Sequence, residues 1–177
     1  MSPPEIWGPP IWTFFHTLAE NINEDGFSNI KFSLFSYIKR ICTYLPCPDC
    51  SHHASRFLAK ININKISSKN DFKNMLYVFH NTVNKRKRKP FFNHQNLEKY
   101  KNYNVGYTFN HFVSVYHTKG NMNLIAESFQ RKILLSELKT WLIKNYKYFK
   151  PTKKLIEPNN TNNTNENVCT TTVNNNL

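Results

Sequence analysis

Cys47-Pro48-Asp49-Cys50 runs straight into Ser51-His52-His53-Ala54-Ser55-Arg56-Phe57-Leu58, a stretch patterned as a helix. Two cysteines three apart at such a junction place Cys47 at or just before a helix N-terminus and Cys50 one turn in. Unpaired N–H groups and the positive end of the helix macrodipole favour a thiolate there. A free thiol titrates near ~8.5, and a CxxC at a helix N-terminus can lower that by one to several units. The sulfurs lie within bonding range, so the pair can cycle between dithiol and disulfide. Zinc is a competing use of Cys47, Cys50, His52 and His53. A structural zinc site wants four convergent ligands, usually as two separated pairs. Adjacent histidines on a helix point roughly 100° apart, and Cys42 and Cys169 are unsuitably placed to complete the set. Redox chemistry is favoured over zinc and over a pair of inert buried thiols, and no metal is expected.

Working outward from this stretch, Pro46 stops a helix expected over about 28–44. That helix carries Leu34, Ile38, Ile41 and Leu45, or Phe35, Ile38 and Cys42, toward the core. Cys42 reads as a small buried hydrophobe. Before it, Asn23-Glu24-Asp25-Gly26 reads as a turn. A first helix begins at Pro9-Pro10 and runs to about Asn23, with Ile11, Phe15, Leu18 and Ile22 at helical spacing. Trp12 and His16 lie one turn apart and share a face. The CxxC helix runs from about Pro48 to Ile61. After a polar linker, Asp71 is the expected N-cap of a fourth helix marked by Phe72, Met75, Leu76, Phe79 and Val83. His80, Val83 and Asn84 line one face of it and lead into Lys85-Arg86-Lys87-Arg88-Lys89, a basic end suited to a phosphate-bearing ligand.

Residues 93–103 predict a short fifth helix, and two further helical patterns cover 107–117 and 121–149. The last carries Ile125, Phe129 and Ile133, then Leu134, Leu138, Trp141 and Leu142, read as packing. From Pro151 the chain is Asn, Thr and Lys with little to bury, and it is expected to be disordered, with Cys169 a lone thiol in it. The 177 residues suffice for one domain with a core built from 14 Phe and 9 Tyr, and only 4 Gly and little alternation argue against a β fold. Four cysteines at this length are no disulfide scaffold. No signal peptide is legible and no run approaches the ~20 apolar residues of a membrane span, so no membrane association and a cytosolic location are expected. A CxxC in a reducing compartment more often does chemistry than holds a fold together. The net charge of +13 suits acidic partners or anionic cofactors, or is a solubility feature.

Trp7-Gly8 with Trp12 and His16, Leu45-Pro46-Cys47-Pro48-Asp49-Cys50, His80-Asn81-Thr82-Val83-Asn84 and Lys89-Pro90 occur in a fixed order. Together they resemble the Erv/ALR family of FAD-linked sulfhydryl oxidases. Cys-x-x-Cys-x-His-His-Ala, which includes His53, is most similar to versions encoded by large cytoplasmic DNA viruses. The resemblance covers residues 1 to about 100. It implies an all-α four-helix bundle with a short fifth helix, cradling FAD at one end, and it implies a homodimer. The family domain would span 1–105, followed by a helical extension over 106–150 and the tail over 151–177.

By the same resemblance, Trp7, Gly8, Trp12 and His16 approach the flavin and its ribityl-phosphate side. His80, Asn81, Val83 and Asn84 surround the adenosine, Arg86 and Lys89 lie near the diphosphate, and His53 joins the cofactor set. Cys50 would face the flavin and Cys47 would meet the substrate. Electrons would pass from a dithiol protein to the CxxC, then to FAD, then to molecular oxygen, giving peroxide. Relatives often carry a second, shuttle cysteine pair and a pair spaced sixteen apart; both are absent here. Direct reduction by a thioredoxin-like partner is expected instead, in the cytoplasm of a virus-infected cell, with packaging in the virion a further expectation. The alternative is a basic nucleic-acid-binding or zinc-stabilised helical module using Lys85 to Lys89.

Overall fold

The computed structural model describes residues 3–116 and 125–149, and the expectations for 151–177, Cys169 among them, fall outside these residues. The described chain is all-α. α1 spans Pro4–Asn21, α2 Glu24–Thr43, α3 Pro48–Ala59 and α4 Lys69–Arg86. A 3-10 helix over His94–Asn102 is followed by α5, Val105–Tyr116, and α6, Ile125–Asn145.

α1 is the spine. Its last eight residues, Phe14 to Asn21, are all buried, polar ones included, as befits a helix packed on several sides rather than along one stripe. It begins five residues earlier than Pro9-Pro10 suggests, at Pro4, and leaves both prolines in its interior. Each removes a backbone hydrogen bond and crowds the carbonyl four residues back, which costs about 3 kcal/mol or more in an exposed helix. Tertiary burial offsets this, with Trp7 and Ile11 each only 5% exposed on either side of the pair.

α2 begins four residues before the expected start, because Asn23 caps it rather than turning the chain. The Asn23 Oδ1 accepts from the Gly26 N–H at 2.5 Å, and Glu24 and Asp25 sit in the first turn, where the macrodipole favours anions. Leu34, Phe35, Ile38, Ile41, Cys42 and Leu45 are all buried. α4 is capped by Ser68, not Asp71. The Ser68 hydroxyl accepts from the Asp71 N–H, and the Asp71 carboxylate accepts from Ser68 N–H in return, a capping box. Those hydrogen bonds hold the Asp71 carboxyl below its ordinary pKa.

The C-terminal elements join the same core. Phe14 of α1 stacks on Phe112 of α5 (centroids 5.1 Å, 5° from coplanar) and lies 5.7 Å from Phe109. α6 buries Leu134, Leu135, Leu138 and Leu142, but Phe129 is 60% exposed. Phe129 is five residues from Leu134 and so roughly 140° round the helix from it. The position that falls on the buried face is Arg131, 1% exposed. α6 ends at Asn145, not 149, and a 3-10 turn over Tyr146–Tyr148 returns the chain to the α1–α2 junction. There Asn23 N–H donates to the Tyr148 carbonyl at 2.9 Å.

At that junction a Cβ on Gly26 would stand 2.5 Å from the Tyr148 Cβ and 2.7 Å from the Asn23 Oδ1. Gly to Ala within a helix ordinarily stabilises by roughly 0.5–1 kcal/mol. Here the sign should reverse. Gly26→Ala should destabilise by about 1–3 kcal/mol, as overpacking does, and lower the melting temperature by several degrees; a melting temperature unchanged or raised would refute the close packing of 146–149 on α2.

Candidate active site

Two helix ends meet at the cysteines. α2 runs out at Thr43, Leu45 and Pro46 are buried, and Cys47 is the N-cap of α3 with Pro48 in the first turn. Proline suits that turn because its missing N–H has no intrahelical partner there. Cys47 and Cys50 form a disulfide with Cα atoms 5.2 Å apart, and Cys50 N–H points at the Cys47 Sγ at 3.3 Å. An N–H aimed at the sulfur of the N-cap stabilises a thiolate once the bond is reduced. The sulfurs are not equivalent: Cys50 is buried, whereas Cys47 is partly exposed.

Cys50 lines a cavity of about 430 Å³ enclosed by α1, α3, the end of α4 and the 3-10 helix. Of the residues singled out in the sequence, Trp7, Gly8, Trp12, His53, His80, Val83, Asn84, Arg86 and Lys89 line it too. A Cβ on Gly8 would meet nothing within 4 Å, so the glycine leaves that stretch of wall open. His16 and Asn81 stand in the layer behind. His16 Nε2 lies 3.0 Å from His80 Nδ1, and the Asn81 side chain donates to the Phe92 carbonyl at 3.1 Å and accepts from the Phe92 N–H at 2.8 Å. Cys47 lies outside the cavity lining.

The wall is flat and aromatic. The Trp12 indole stacks on the His80 imidazole with centroids 4.2 Å apart and 8° from coplanar, and Phe57 stacks on Phe79 at 4.6 Å. Phe57, Phe79, Lys99 and Tyr100 line the cavity and do not stand out as site residues in the sequence. The apolar spacing of α4 marks Phe79 as core, and nothing local marks Lys99 or Tyr100, which reach the cavity only because the 3-10 helix folds back on α1. Cys42 also lines it, and burial pushes its thiol pKa far up, so it stays a protonated, unreactive thiol.

The rim is basic. Arg86, Lys87, Lys89 and Lys99 converge on it, and among the described residues only Lys89 of the four has a carboxylate partner, Glu5 at 4.0 Å. The end of α4 sets this arrangement. Arg88 takes the left-handed conformation (φ 53°), Lys89 N–H donates to the Asn84 carbonyl at 2.9 Å and Arg88 N–H to that of Lys85 at 3.2 Å. This is the Schellman closure, with arginine where glycine is usual, and it turns Lys89 back toward α1.

Residues 9–104 match the Erv1/Alr family. The chain belongs to the Erv1/Alr family. It is 34% identical over 83 residues to an FAD-linked sulfhydryl oxidase of African swine fever virus, covering 47% of this chain and 69% of the relative. Protein 347L of Invertebrate iridescent virus 6, whose name gives it the same activity provisionally, is 34% identical over 93 residues, 49% of this chain and 84% of that one. The mitochondrial FAD-linked sulfhydryl oxidase erv1 of Schizosaccharomyces pombe is 28% identical over 89 residues, 50% of this chain and 49% of that protein. No solved structure is a significant match. The matched Erv1/Alr span ends just before α5, so α5 and α6 lie beyond it.

Burial holds His16 and His80 neutral, with pKa values lowered to about 3 and about 4; for His16 the neighbouring His80 adds to the effect, and the Lys99 ammonium acts on both. Two neutral imidazoles 3.0 Å apart can share one proton as donor and acceptor; two imidazolium rings cannot. An unfolded histidine takes up a proton below about 6.5 while these two stay neutral, so the unfolded chain binds more protons and stability falls as the pH drops from about 6.5 toward 4. The melting temperature should therefore decline from about pH 7 to about pH 4.5. In a His16→Gln, His80→Gln double variant that decline should be visibly shallower. An equal or steeper slope would show that the pair is not held neutral.

Proposed function

We propose that this chain is an FAD-dependent sulfhydryl oxidase that forms disulfides in protein dithiols, with molecular oxygen as final acceptor and hydrogen peroxide as product. The observation that carries this reading is the asymmetry of the redox pair. Cys50 faces a cavity with flat aromatic walls and a cationic rim, while Cys47 of the same disulfide is reachable from outside.

The donor set suits FAD. Trp12, His80, Phe57 and Phe79 offer stacking faces, and Arg86, Lys87, Lys89 and Lys99 offer cations for a diphosphate. Trp7, Gly8, Val83, Asn84 and His53 complete the surround, while His16 and Asn81 support it from behind by fixing His80 and the segment after α4. Bound FAD would supply two-electron redox chemistry and the reduction of oxygen.

The protein's own chemistry is thiol–disulfide exchange. A substrate thiolate attacks the Cys47 sulfur, the Cys47–Cys50 bond breaks and Cys50 leaves as a thiolate. The second substrate thiol then attacks the mixed disulfide and releases Cys47, so the substrate leaves as a disulfide and two electrons remain on the CxxC. The helix N-terminus stabilises both leaving thiolates.

Residues 1–105 carry this chemistry, and 106–150 follow as an extension. With no second cysteine pair in the matched region, a thioredoxin-like or other dithiol protein docks directly on Cys47, and the assembly is a homodimer, as the family resemblance implies. Likeness to viral relatives supports action in the cytoplasm of an infected cell, with the virion a second location; no described helix is long and apolar enough to cross a membrane. A basic nucleic-acid-binding or zinc-stabilised module is less favoured, because the cations of the α4 end gather at the cavity mouth together with Lys99.

The purified protein should show flavin absorbance near roughly 450 nm, where zinc, with its filled d shell, is silent. Cys47→Ser and Cys50→Ser should each abolish oxidation of dithiothreitol while retaining flavin. Only Cys47→Ser should be able to display a thiolate-to-flavin charge-transfer band. His80→Ala, Asn84→Ala and Trp12→Ala should lose flavin on gel filtration. Full turnover by either cysteine variant, or unchanged flavin content in all three cavity variants, would overturn the proposal.

A further inference from the structure

An α-helix leaves its last four carbonyls without intrahelical partners, and at the end of α2 those of Ile41, Thr43 and Tyr44 are answered from three other elements. The Ile41 carbonyl accepts from the Tyr116 hydroxyl of α5 at 2.8 Å. That of Thr43 accepts from the Ser51 hydroxyl of α3 at 2.5 Å, and that of Tyr44 from the Arg131 guanidinium of α6 at 3.3 Å. Tyr116 is fully buried and Arg131 is 1% exposed. Arg131 Nε has no hydrogen-bond partner among the described residues, and the Glu127 carboxylate 3.8 Å from its Nη1 is itself half-exposed.

Burying a guanidinium is costly unless it is paired and hydrogen-bonded. If α6 only needed to fill space, leucine or methionine would serve, as at Leu134, Leu135 and Leu138 on the same face. What a cation adds here is a charged donor at the negative end of α2. Burial also raises the Tyr116 hydroxyl pKa well above its ordinary value, so it remains a protonated donor. Cys47 lies three residues on from Tyr44, a tether of at most about 11 Å fully extended, and Pro46 within it has a fixed φ. Where α2 ends therefore sets where Cys47 enters α3.

We propose that α5 and α6, outside the matched family span, form a clamp that positions the redox pair. In it Tyr116 and Arg131 hold the last carbonyls of α2, and thereby fix Cys47 at the N-cap of α3 and Cys50 against the cavity. Arg131 and Tyr116 are positioning residues, acting through the α2 backbone. The proposal rests on Cys47–Cys50 being the redox pair of the oxidase.

The test uses the full-length flavin-loaded protein and the variants Arg131→Met, Arg131→Lys, Tyr116→Phe and, as a control, Leu138→Ala. Leu138 is buried on the same face of α6 and has no side-chain donor for α2. Amide hydrogen exchange reads local opening. Arg131→Met and Tyr116→Phe should speed exchange of the amides in 45–51 about tenfold, the scale of one hydrogen bond to a charged or buried partner. Exchange in α1 and α4 should change far less. Flavin content should be unchanged, and single-turnover reduction of the Cys47–Cys50 disulfide by dithiothreitol should slow severalfold. Arg131→Lys should recover part of both effects. Leu138→Ala should lower the melting temperature without singling out 45–51.

Uniform acceleration of exchange, or the same pattern in Leu138→Ala, would overturn the clamp and leave the arginine as packing. If Arg131→Met fails to fold, Tyr116→Phe, which removes one oxygen, decides the matter by the same readouts. Failure of the wild type to oxidise dithiothreitol at all would instead overturn the oxidase reading.

Discussion

The burial of α1 on several sides constrains everything around the cavity. A helix in that position cannot send its polar groups to water, so a buried group without a partner is costly, and three of them are met from inside. Glu20, 2% exposed, pairs with Lys73 of α4 at 2.5 Å. Asn21 donates to the backbone carbonyls of Thr17 and Tyr100, each at 3.0 Å. His16 meets His80. These contacts fall within about a turn and a half of α1 and tie it to α4 and the 3-10 helix, so the apolar packing of Trp12, Phe79 and His80 has one register. Sliding α4 along α1 would strand a carboxylate and an imidazole at once, and moving the 3-10 helix would strand the Asn21 amide.

That register gives the cavity its character. The face of α4 that is pinned to α1 by His80 carries Val83 and Asn84 one turn later, and the Schellman closure beyond them swings Lys89 toward Glu5. An aromatic slot therefore opens directly onto a cationic rim, a combination that a planar ring system bearing a diphosphate would satisfy at both ends. The third wall, α3, contributes Cys50, His53, Ala54 and Phe57. Its position depends in turn on α2, whose C-terminal carbonyls are held by groups from α3, α5 and α6. The CxxC turn is thus suspended between a rigid spine and a capped helix end, and its two sulfurs face different environments although only two residues separate them.

Local patterning and tertiary contact divide the explanation between them. Helix-spaced apolar residues in α1, α2 and α4 mark buried faces by their spacing alone, because burial of one face is what keeps such helices folded. The CxxC, with proline on either side of Cys47, marks a helix start for equally local reasons. The misplaced boundaries have local causes as well. Asn23 reads as a turn residue or as a cap, and only the 2.5 Å hydrogen bond from Gly26 decides between them; Ser68 and Asp71 both suit a cap, and the reciprocal bonds assign the roles.

What the sequence by itself determined is the set of helices, the CxxC pair at a helix N-terminus, and a cluster of aromatic, polar and basic residues at the end of α4; each depends on neighbours within a turn or two of chain. The tertiary structure alone decided which of those residues line the cavity. His16 and Asn81 fall behind the wall, Lys99 and Tyr100 come into it from a 3-10 helix, and Cys50 rather than Cys47 faces inward. It also decided that Arg131 is buried at the end of α2, although in sequence it is one basic residue among many. Helical periodicity says which side chains share a face, but the partner that face meets depends on contacts across tens of residues, 64 for His16 with His80 and 87 for Arg131 with Tyr44.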